Sequence, residues 1–378
     1  MQPTQRTDRK AGLDISLELA GSSWKFALTD GIRPNPAVAR LDDEHRWERL
    51  QHFLQQVRYW RGKWHLPADC AVRVIYEAGQ DGFWIARALQ AEGIEVFVVD
   101  PASIPVARHA RRAKTDRLDA LRLLEILRRW LRGERSEVRM VQIPSEAAEA
   151  QRLLSRERGL LQKEIGQHRD RMRKRLLLYG CSEQLDGHFV NRLAGGEVRC
   201  ANGGRLPEEL WHWLMREAER LALAQKQLRG LEKTLLQQLP EAVQRRVSDL
   251  ARLGAVGWVG AMRLVLELFW RDFANRRQVG ACVGLVPQPY DSGNSHTDQG
   301  ISKQGNRRVR ALLIEMAWFW VRYQPRSELA QWFAKRTAAG SGRGKRIAIV
   351  AVARRLAIAL WRYLRDGVVP AGAQLKAA

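Results

Sequence analysis

The sequence predicts an α/β N-terminal domain, a long helical segment and a mainly α-helical C-terminal domain. Three observations lead to this prediction. Short apolar strands alternate with amphipathic helices over the first third of the chain, two long basic helices follow, and a glycine-rich region with helical periodicity ends the sequence. The expected boundaries are 10–140 for the α/β domain, 141–248 for the helical segment and 249–378 for the C-terminal domain.

The α/β domain is expected to begin with a β-hairpin. The stretch "AGLDISLELAGSSWKFALT", residues 11–29, alternates apolar and other residues around Asp14 and again at Trp24, Phe26 and Leu28. Alternation with a period of two is typical of strands, and the Gly-Ser pair between the two runs is a turn signal. Residues 11–29 therefore predict two antiparallel strands.

The rest of the first domain alternates helices and strands. An amphipathic helix is expected over "DEHRWERLQHFLQQVRYWRGKW", and "CAVRVIYEAG" follows as a buried strand that ends at Glu77. A helix over residues 82–92, the strand "IEVFVVDP" and a helix from about Thr115 to Arg132 complete the order. This succession predicts a sheet covered by helices.

The second region predicts two long helices. A basic amphipathic helix is expected from residue 145 to Gly180, since "SEAAEAQRLLSRERGLLQKEIGQHRDRMRKRLLLYG" opens with a helix start signal. A second runs from Leu206 to Leu239, after the glycine-rich connector "LAGGEVRCANGGR". The pair suggests an antiparallel helical hairpin. It is either an ordinary bundle with a solvated charged face or a coiled-coil arm for dimerisation or for gripping nucleic acid.

The charge balance predicts a polyanionic partner. The chain carries 64 Lys and Arg against 41 Asp and Glu, a formal charge of +23, and the basic residues are spread along its length. DNA or RNA is the expected partner. No apolar run reaches the roughly 18 residues of a membrane span, and "MQPTQRTDRK" lacks the apolar core of a signal peptide. A cytoplasmic, nucleoid-associated protein with no membrane partner is expected.

The cysteines add no site of their own. They are scattered with no C-x-x-C pair, which argues against a zinc ribbon and a disulfide framework. Reduced thiols are expected at four positions: Cys70, Cys181, Cys200 and Cys282.

Four acids are placed where they can converge. Asp14 and Glu77 lie on or beside neighbouring predicted strands, and Asp116 and Asp119 open a predicted helix with a spacing that puts both on one face. Carboxylates gathered at one point repel one another unless cations neutralise them, and Mg²⁺ (or Mn²⁺) held by shared carboxylates is the usual solution. The alternative is that these are ordinary surface acids, since the chain has 41 acidic residues.

The motifs around these acids resemble a known family. "LDIS" with Asp14, "YEAG" with Glu77 and "KTDRLDA" with Lys114, Asp116 and Asp119 look like the DEDD motif of the insertion-sequence transposases related to the pilin-gene invertase Piv. "ACVGLVPQPYDSGNSHTDQGISKQGNRRVRALL" is similar to the C-terminal transposase domain of that family. The resemblance implies a RuvC-like RNase H fold for the first domain, a coiled-coil arm between the domains, and DNA strand exchange as the activity.

The resemblance also implies a serine nucleophile. The matching position is Ser292 of "DSGN", where Gly293 would let the backbone approach a phosphate. Lys114 is expected to contact nucleic acid. Four further cations would surround the scissile phosphate: Lys303, Arg307, Arg308 and Arg310. Without the resemblance, "DSGNSHTDQG" would be read as a polar surface loop.

The chain departs from the family pattern in two places. The family commonly has a P-G-I-G-like turn where this chain has "GAVG" at 254–257, which weakens the case for a helix-hairpin-helix contact there. The family often has a second serine ahead of the nucleophile, and here that residue is Asp291. Ser295 is therefore a competing candidate for the nucleophile.

The resulting prediction is a DNA recombinase with a divalent-metal DEDD site and a covalent serine–DNA intermediate. As the family implies, its partners would be donor and target DNA, a structured guide RNA and further copies of the chain in a dimer or tetramer, with catalytic domains acting together across protomers. Two alternatives stay open: a RuvC-like junction nuclease that uses metal-activated water, and a non-catalytic nucleic-acid-binding protein.

Overall fold

The computed structural model of the chain describes residues 12–43, 45–80, 82–105, 116–135, 138–292, 295–338 and 342–376, without the side chains of 290–298. The chain divides into two compact units, Met1–Ser145 and Glu146–Ala378. Within the described ranges, no helix combines the length and the apolar character needed to cross a membrane.

The first unit is built on a five-stranded mixed sheet with the order β3-β2-β1-β4-β5. The strands β1 and β2 form the predicted antiparallel hairpin, which is confirmed, whereas β4 and β5 run parallel to β1. The strand β3 was not predicted from the sequence. This topology is compatible with the expected RNase H-like fold. The strands are β1 (Gly12–Leu19), β2 (Trp24–Thr29), β3 (Ala37–Leu41), β4 (Ala71–Glu77) and β5 (Glu95–Val99).

Three helices accompany the sheet: α1 (Arg46–Lys63), α2 (Trp84–Ala91) and α3 (Asp116–Leu131). Because successive side chains of a strand point to opposite faces, β1 contributes side chains to the packing on both faces of the sheet. Its odd-numbered residues, such as Ile15, are buried in one core with Phe53 of α1 and Leu89 of α2. Its even-numbered residues face the opposite side.

The opposite face of the sheet is covered by α3. The hydroxyl of Ser16 donates a hydrogen bond of 2.6 Å to the carbonyl oxygen of Ala120. Leu123 packs in one cluster with Ile75 of β4, and Leu124 packs in another with Ala27 of β2. The helix α3 therefore lies over the middle of the sheet, on the side that carries the even-numbered residues of β1.

The second unit begins with two long helices that pair in antiparallel fashion. They are α4 (Glu146–Leu177) and α6 (Glu208–Thr234), with the short α5 (Phe189–Ala194) between them. Arg158 forms an ion pair of 2.6 Å with Glu232, and His168 lies 2.9 Å from Glu217. As residue numbers rise along α4, the numbers of their partners on α6 fall. The two helices are therefore antiparallel. The predicted helical hairpin is confirmed, while coiled-coil packing stays a prediction.

The remaining helices form the core of the same unit. Met262, Leu313 and Leu356, from three different helices, share one apolar cluster. The described parts of the arm and of the C-terminal region belong to one compact unit, and the three-part division stays a prediction. The elements are α7 (Glu241–Arg252), α8 (Trp258–Glu267), α9 (Arg276–Cys282), β6 (Pro287–Ser292), β7 (Ser295–Ile301), α10 (Arg307–Tyr323), α11 (Glu328–Thr337) and α12 (Gly342–Asp366).

A buried carboxylate joins α4 to this core. Glu267 at the end of α8 is 5% exposed and accepts hydrogen bonds of 3.0 and 3.3 Å from Nε and Nη2 of Arg156. Removal of one partner of a buried ion pair costs about 3–5 kcal/mol. Because Arg156 is partly exposed, we expect Glu267→Ala to lower the free energy of unfolding by about 3 kcal/mol in urea denaturation.

The matched control is Glu219→Ala, because Glu219 is an exposed helical residue. A change of at most about 0.5 kcal/mol is expected there. Equal effects of the two substitutions would mean that the Arg156–Glu267 pair contributes nothing to stability.

Candidate functional site

One end of the sheet in the first unit collects acidic residues. The parallel register pairs Leu17 of β1 with Tyr76 of β4, so Glu18 comes level with Glu77, the exposed last residue of β4. Both acids lie two residues beyond side chains that α3 covers, Ser16 and Ile75. Since side chains two apart share a face, Glu18 and Glu77 project on the α3 side. We call the carboxyl ends of β1 and β4, with the first turn of α3, the acidic edge.

The first turn of α3 reaches this edge because α3 runs antiparallel to β1. Ala120 lies beside Ser16, whereas Asp116 forms an ion pair of 2.7 Å with Nζ of Lys25. Lys25 is the cross-strand partner of Glu18. Asp116 is therefore at the acidic edge.

Asp119 lies in the first turn of α3, before the part of this helix that packs near β4. It lies one helical turn, about 5.4 Å, before Leu123, and Leu123 packs in one cluster with Ile75. Glu77 lies two strand residues, about 6.6 Å, beyond Ile75 in the matching direction. The helix periodicity and the strand register thus put Asp119 and Glu77 on the same side of this apolar cluster.

Asp14 is held elsewhere. It is paired in register with Arg73, whose Nη1 donates to its Oδ1 at 2.9 Å, and Arg73 also lies 3.5 Å from Glu95. Four strand residues, about 13 Å, separate Asp14 from the level of Glu77. The structure therefore brings Glu77, Asp116 and Asp119 to one edge and does not bring Asp14 there.

The chemistry of the acidic edge suits a hard cation. A hydrogen bond and the positive charge of Lys25 lower the pKa of the exposed Asp116 carboxyl, which keeps it ionised. Carboxylate oxygens are the donors that Mg²⁺ and Mn²⁺ prefer. In the ranges that the structure covers, no three His, Cys, Asp or Glu side chains are gathered closely enough to hold an ion.

The predicted nucleophile lies in the second unit, at the end of a β-hairpin. Ser292 is the last residue of β6 and Ser295 the first of β7, and the two are cross-strand partners. The expected polar loop is thus largely a hairpin, with both candidate serines beside its tip. Lys114 and Gly293 lie outside the described residues.

The four predicted cations differ in their surroundings. Lys303, Arg307 and Arg308 are exposed and follow the hairpin. Arg310 is partly buried and donates a hydrogen bond of 3.1 Å to the carbonyl oxygen of Val283, and burial lowers its pKa. Three of the four are available to an external phosphate, whereas Arg310 stabilises the backbone before the hairpin.

A basic groove at the base of the hairpin was missed by sequence reasoning. It has a volume of about 800 Å³ and lies between Pro287 and Ile301 of the hairpin and the face of α12 that carries Ile347. The four-residue spacing of Arg346, Val350, Arg354 and Ile358 along α12 was the available signal. The arginines among its described lining residues are Arg276, Arg277, Arg343, Arg346, Arg354 and Arg355. We call this the arginine groove.

Comparison with known proteins matches both units to transposases. A family model described as a DEDD transposase matches residues 42–180, and the model of the IS116/IS110/IS902 transposase family matches residues 248–331. The protein y4rJ of Sinorhizobium fredii, named as a candidate transposase, is 39% identical over 96% of this chain and 94% of its own length. The transposase for insertion sequence element IS1328 of Yersinia enterocolitica is 26% identical over 78% of this chain and 84% of its own length.

These matches define the class of protein as an insertion-sequence transposase, an enzyme that cleaves and rearranges DNA. The chain belongs to the IS116/IS110/IS902 family of transposases.

Proposed function

We propose that this transposase exchanges DNA strands through a divalent-metal centre at the acidic edge and a covalent intermediate on Ser292, with a structured RNA selecting the DNA. The observation that supports the proposal is that Glu77 at the end of β4 and Asp116 and Asp119 in the first turn of α3, two segments far apart in sequence, lie at one edge of the sheet. Asp14, the fourth predicted acid, is paired with Arg73.

The carboxylates of the acidic edge would hold Mg²⁺ or Mn²⁺. A divalent ion supplies positive charge where the phosphodiester gains negative charge during cleavage. The carboxylates hold this charge in place, and the first-turn position of Asp116 and Asp119 adds the favourable dipole of α3 to their ionised forms. Lys25 balances Asp116 while no metal is bound.

The serine step transfers one phosphodiester. The hydroxyl oxygen of Ser292 bonds to phosphorus while the bond from phosphorus to the departing sugar oxygen breaks. The hydroxyl proton goes to a base, and the departing oxygen takes up a proton. The bond energy is kept in the serine ester until the hydroxyl of a second strand attacks it. Lys303, Arg307 and Arg308 follow the hairpin and would bind the charged phosphate oxygens.

The arginine groove would hold nucleic-acid backbone beside the hairpin. Exposed arginines that contact phosphates release counterions, so each contact adds to the salt dependence of binding. We expect Arg346→Ala to weaken binding to DNA of any sequence and to reduce the slope of log affinity against log salt by about 1. Fluorescence anisotropy between roughly 50 and 300 mM salt, about a sixfold range, measures this.

The control for this prediction is Arg245→Ala, because Arg245 is an exposed arginine of α7 outside the groove. Its salt slope should equal that of the unchanged protein. An unchanged slope for Arg346→Ala as well would exclude the arginine groove as a phosphate-binding surface.

A reconstituted reaction tests the role of RNA. In Mg²⁺, with donor DNA, target DNA and the RNA transcribed from the element's flanking region, we expect joined product only when the RNA is present, because base pairing and not the protein reads the sequence. Recombination at the normal site without any RNA would show that RNA does not select the DNA. Size measurement of the active complex then tests the predicted dimer or tetramer.

A further inference from the structure

The second unit contains a further cavity, distinct from the arginine groove. It has a volume of about 320 Å³ and is lined by residues of α4, α8 and the start of α10. Small-molecule sites in proteins measure roughly 300–1,000 Å³, so this cavity has room for one small ligand and none for a duplex. We call it the junction cavity.

Three cations without a partner belong to its lining. They are Lys163 of α4, Arg263 of α8 and Arg308 of α10. Within the part of the chain that the structure describes, none of these three side chains forms a hydrogen bond or an ion pair. The cavity therefore combines positive charges from three different helices at one place.

The acid among the described lining residues is already engaged. Glu267 accepts hydrogen bonds of 3.0 Å from Nε of Arg156 and of 3.3 Å from Nδ2 of Asn306. Its charge is thus shared with Arg156 and does not balance the three free cations. An anionic ligand would supply the missing counter-charge.

Arg263 shows most clearly that an anion fits here. Burial lowers the pKa of its guanidinium, the carboxylate of Glu315 opposes this effect, and the charge of Arg308 adds to it. An arginine stays protonated in proteins, so this charge persists in partly buried surroundings. A phosphate group provides both a negative charge and several hydrogen-bond acceptors for such a side chain.

The remaining wall of the cavity is largely apolar. Leu160 of α4 is exposed, and Val309 and Leu312 of α10 lie in the same lining. Apolar side chains of this kind pack against the flat face of a base that has left its stack. Cations on one side and apolar side chains on the other match the two parts of a nucleotide.

We propose that the junction cavity binds one unpaired nucleotide of a nucleic-acid strand, with the base against the apolar wall and the phosphate on Arg263 and Arg308. The ligand is an unpaired nucleotide because extrusion of a base costs least where the base has no pairing partner. The inference requires only that a transposase binds nucleic acid, and it depends on neither the metal centre nor Ser292.

The place of the cavity in the fold gives this binding a purpose. Asn306 caps the start of α10 and also contacts Glu267, and Arg308 is in the first turn of that helix. The same start of α10 follows the hairpin of β6 and β7 in the chain. A nucleotide held in the junction cavity would fix a strand at the helix that follows the candidate nucleophile.

The test uses hairpin DNA and hairpin RNA, each with one bulged 2-aminopurine, and the full-length chain without divalent metal. None of the described lining residues is aromatic, so a base that enters the cavity loses its stacking and its fluorescence rises. We expect this rise, together with binding of the bulged strand about tenfold tighter than a fully paired one. The strand type that shows the preference, DNA or RNA, identifies the ligand.

Gly159→Leu is the variant that fills the cavity. Gly159 lies in the lining on the exposed side of α4, and a Cβ added there meets no atom within 4 Å. Because leucine favours a helix more than glycine does, the unfolding midpoint should not fall. We expect the fluorescence rise and the preference for the bulged strand to disappear. The matched control is Gly166→Leu, which has similar open space on the same helix outside the lining and should behave as the unchanged chain.

Arg263→Gln tests the charge. It should weaken binding of the bulged strand by about tenfold, as expected for the loss of a hydrogen bond to a charged group. Arg322→Gln, at an exposed arginine of α10 outside the lining, should keep the preference. Equal affinity of the unchanged chain for bulged and paired strands would overturn the inference, as would a preference retained in Gly159→Leu or in Arg263→Gln. Binding of a free nucleoside monophosphate with no response to either bulged strand would also overturn it, because the ligand would then not belong to a strand.

Discussion

Ser292→Ala is expected to abolish both nicking and strand joining while DNA binding is retained. If Ser292 is the nucleophile, the variant lacks the oxygen that must bond to phosphorus, and no other group takes over its place in the reaction. The basic surface of the second unit is unchanged, so the affinity for DNA should stay within about twofold. Gel analysis of radiolabelled DNA in Mg²⁺ measures cleavage, and anisotropy measures binding.

Ser295→Ala is the matched control, because Ser295 is the cross-strand partner of Ser292 in the same hairpin. It should retain cleavage. Mass spectrometry of the trapped and digested complex should find DNA on the peptide that contains Ser292. An adduct on Ser295 would show that Ser295, on the neighbouring strand, is the nucleophile. Cleaved DNA with no protein attached would instead support a nuclease that uses water.

Asp119→Asn is expected to abolish strand cleavage with little effect on DNA binding. The substitution removes the negative charge of one carboxylate at the acidic edge and keeps its size. Loss of several kcal/mol of metal-supplied charge stabilisation corresponds to a rate reduction of about a thousandfold, at tenfold per 1.4 kcal/mol or so. Single-turnover cleavage in Mg²⁺ and in Mn²⁺ gives the rate.

Glu125→Gln serves as the control on the same helix. Glu125 is an exposed acid of α3 that pairs with Arg132, away from the first turn, and such pairs contribute at most about 1 kcal/mol. Its cleavage rate should match the unchanged protein. A normal cleavage rate for Asp119→Asn in Mg²⁺ would show that Asp119 is not part of the catalytic centre.

The local pattern of residues was sufficient to predict the strands and the helix that carry the candidate site. The alternation around Asp14 predicted the hairpin of β1 and β2, and the spacing of Asp116 and Asp119 predicted their common face at the start of α3. These features depend on the period of two of a strand and the period of 3.6 of a helix, which are properties of neighbouring residues. The antiparallel pairing of α4 and α6 was accessible for a similar reason, since two long amphipathic helices with a glycine-rich connector between them suggest a helical hairpin.

The register between strands was not accessible from the sequence. Whether Asp14 or Glu18 comes level with Glu77 depends on how β4 slides along β1, and the two strands are far apart in the chain. Asp14 and Glu18 lie on the same face, so the hydrophobic pattern does not distinguish registers that differ by an even number of residues. The motif match selected Asp14, and only the register shows that Asp14 pairs with Arg73.

The sequence by itself determined the class of this protein, its basic character, most of its helices and strands, and three acids of the acidic edge. Only the tertiary structure decided that Asp14 pairs with Arg73, that Arg310 donates a hydrogen bond to the backbone, and that the arginines of α12 meet the base of the hairpin in one groove. The physical reason is the same in each case. Periodicity and charge are carried by residues close in sequence, whereas register, burial and ion pairing are set by contacts between residues far apart in the chain.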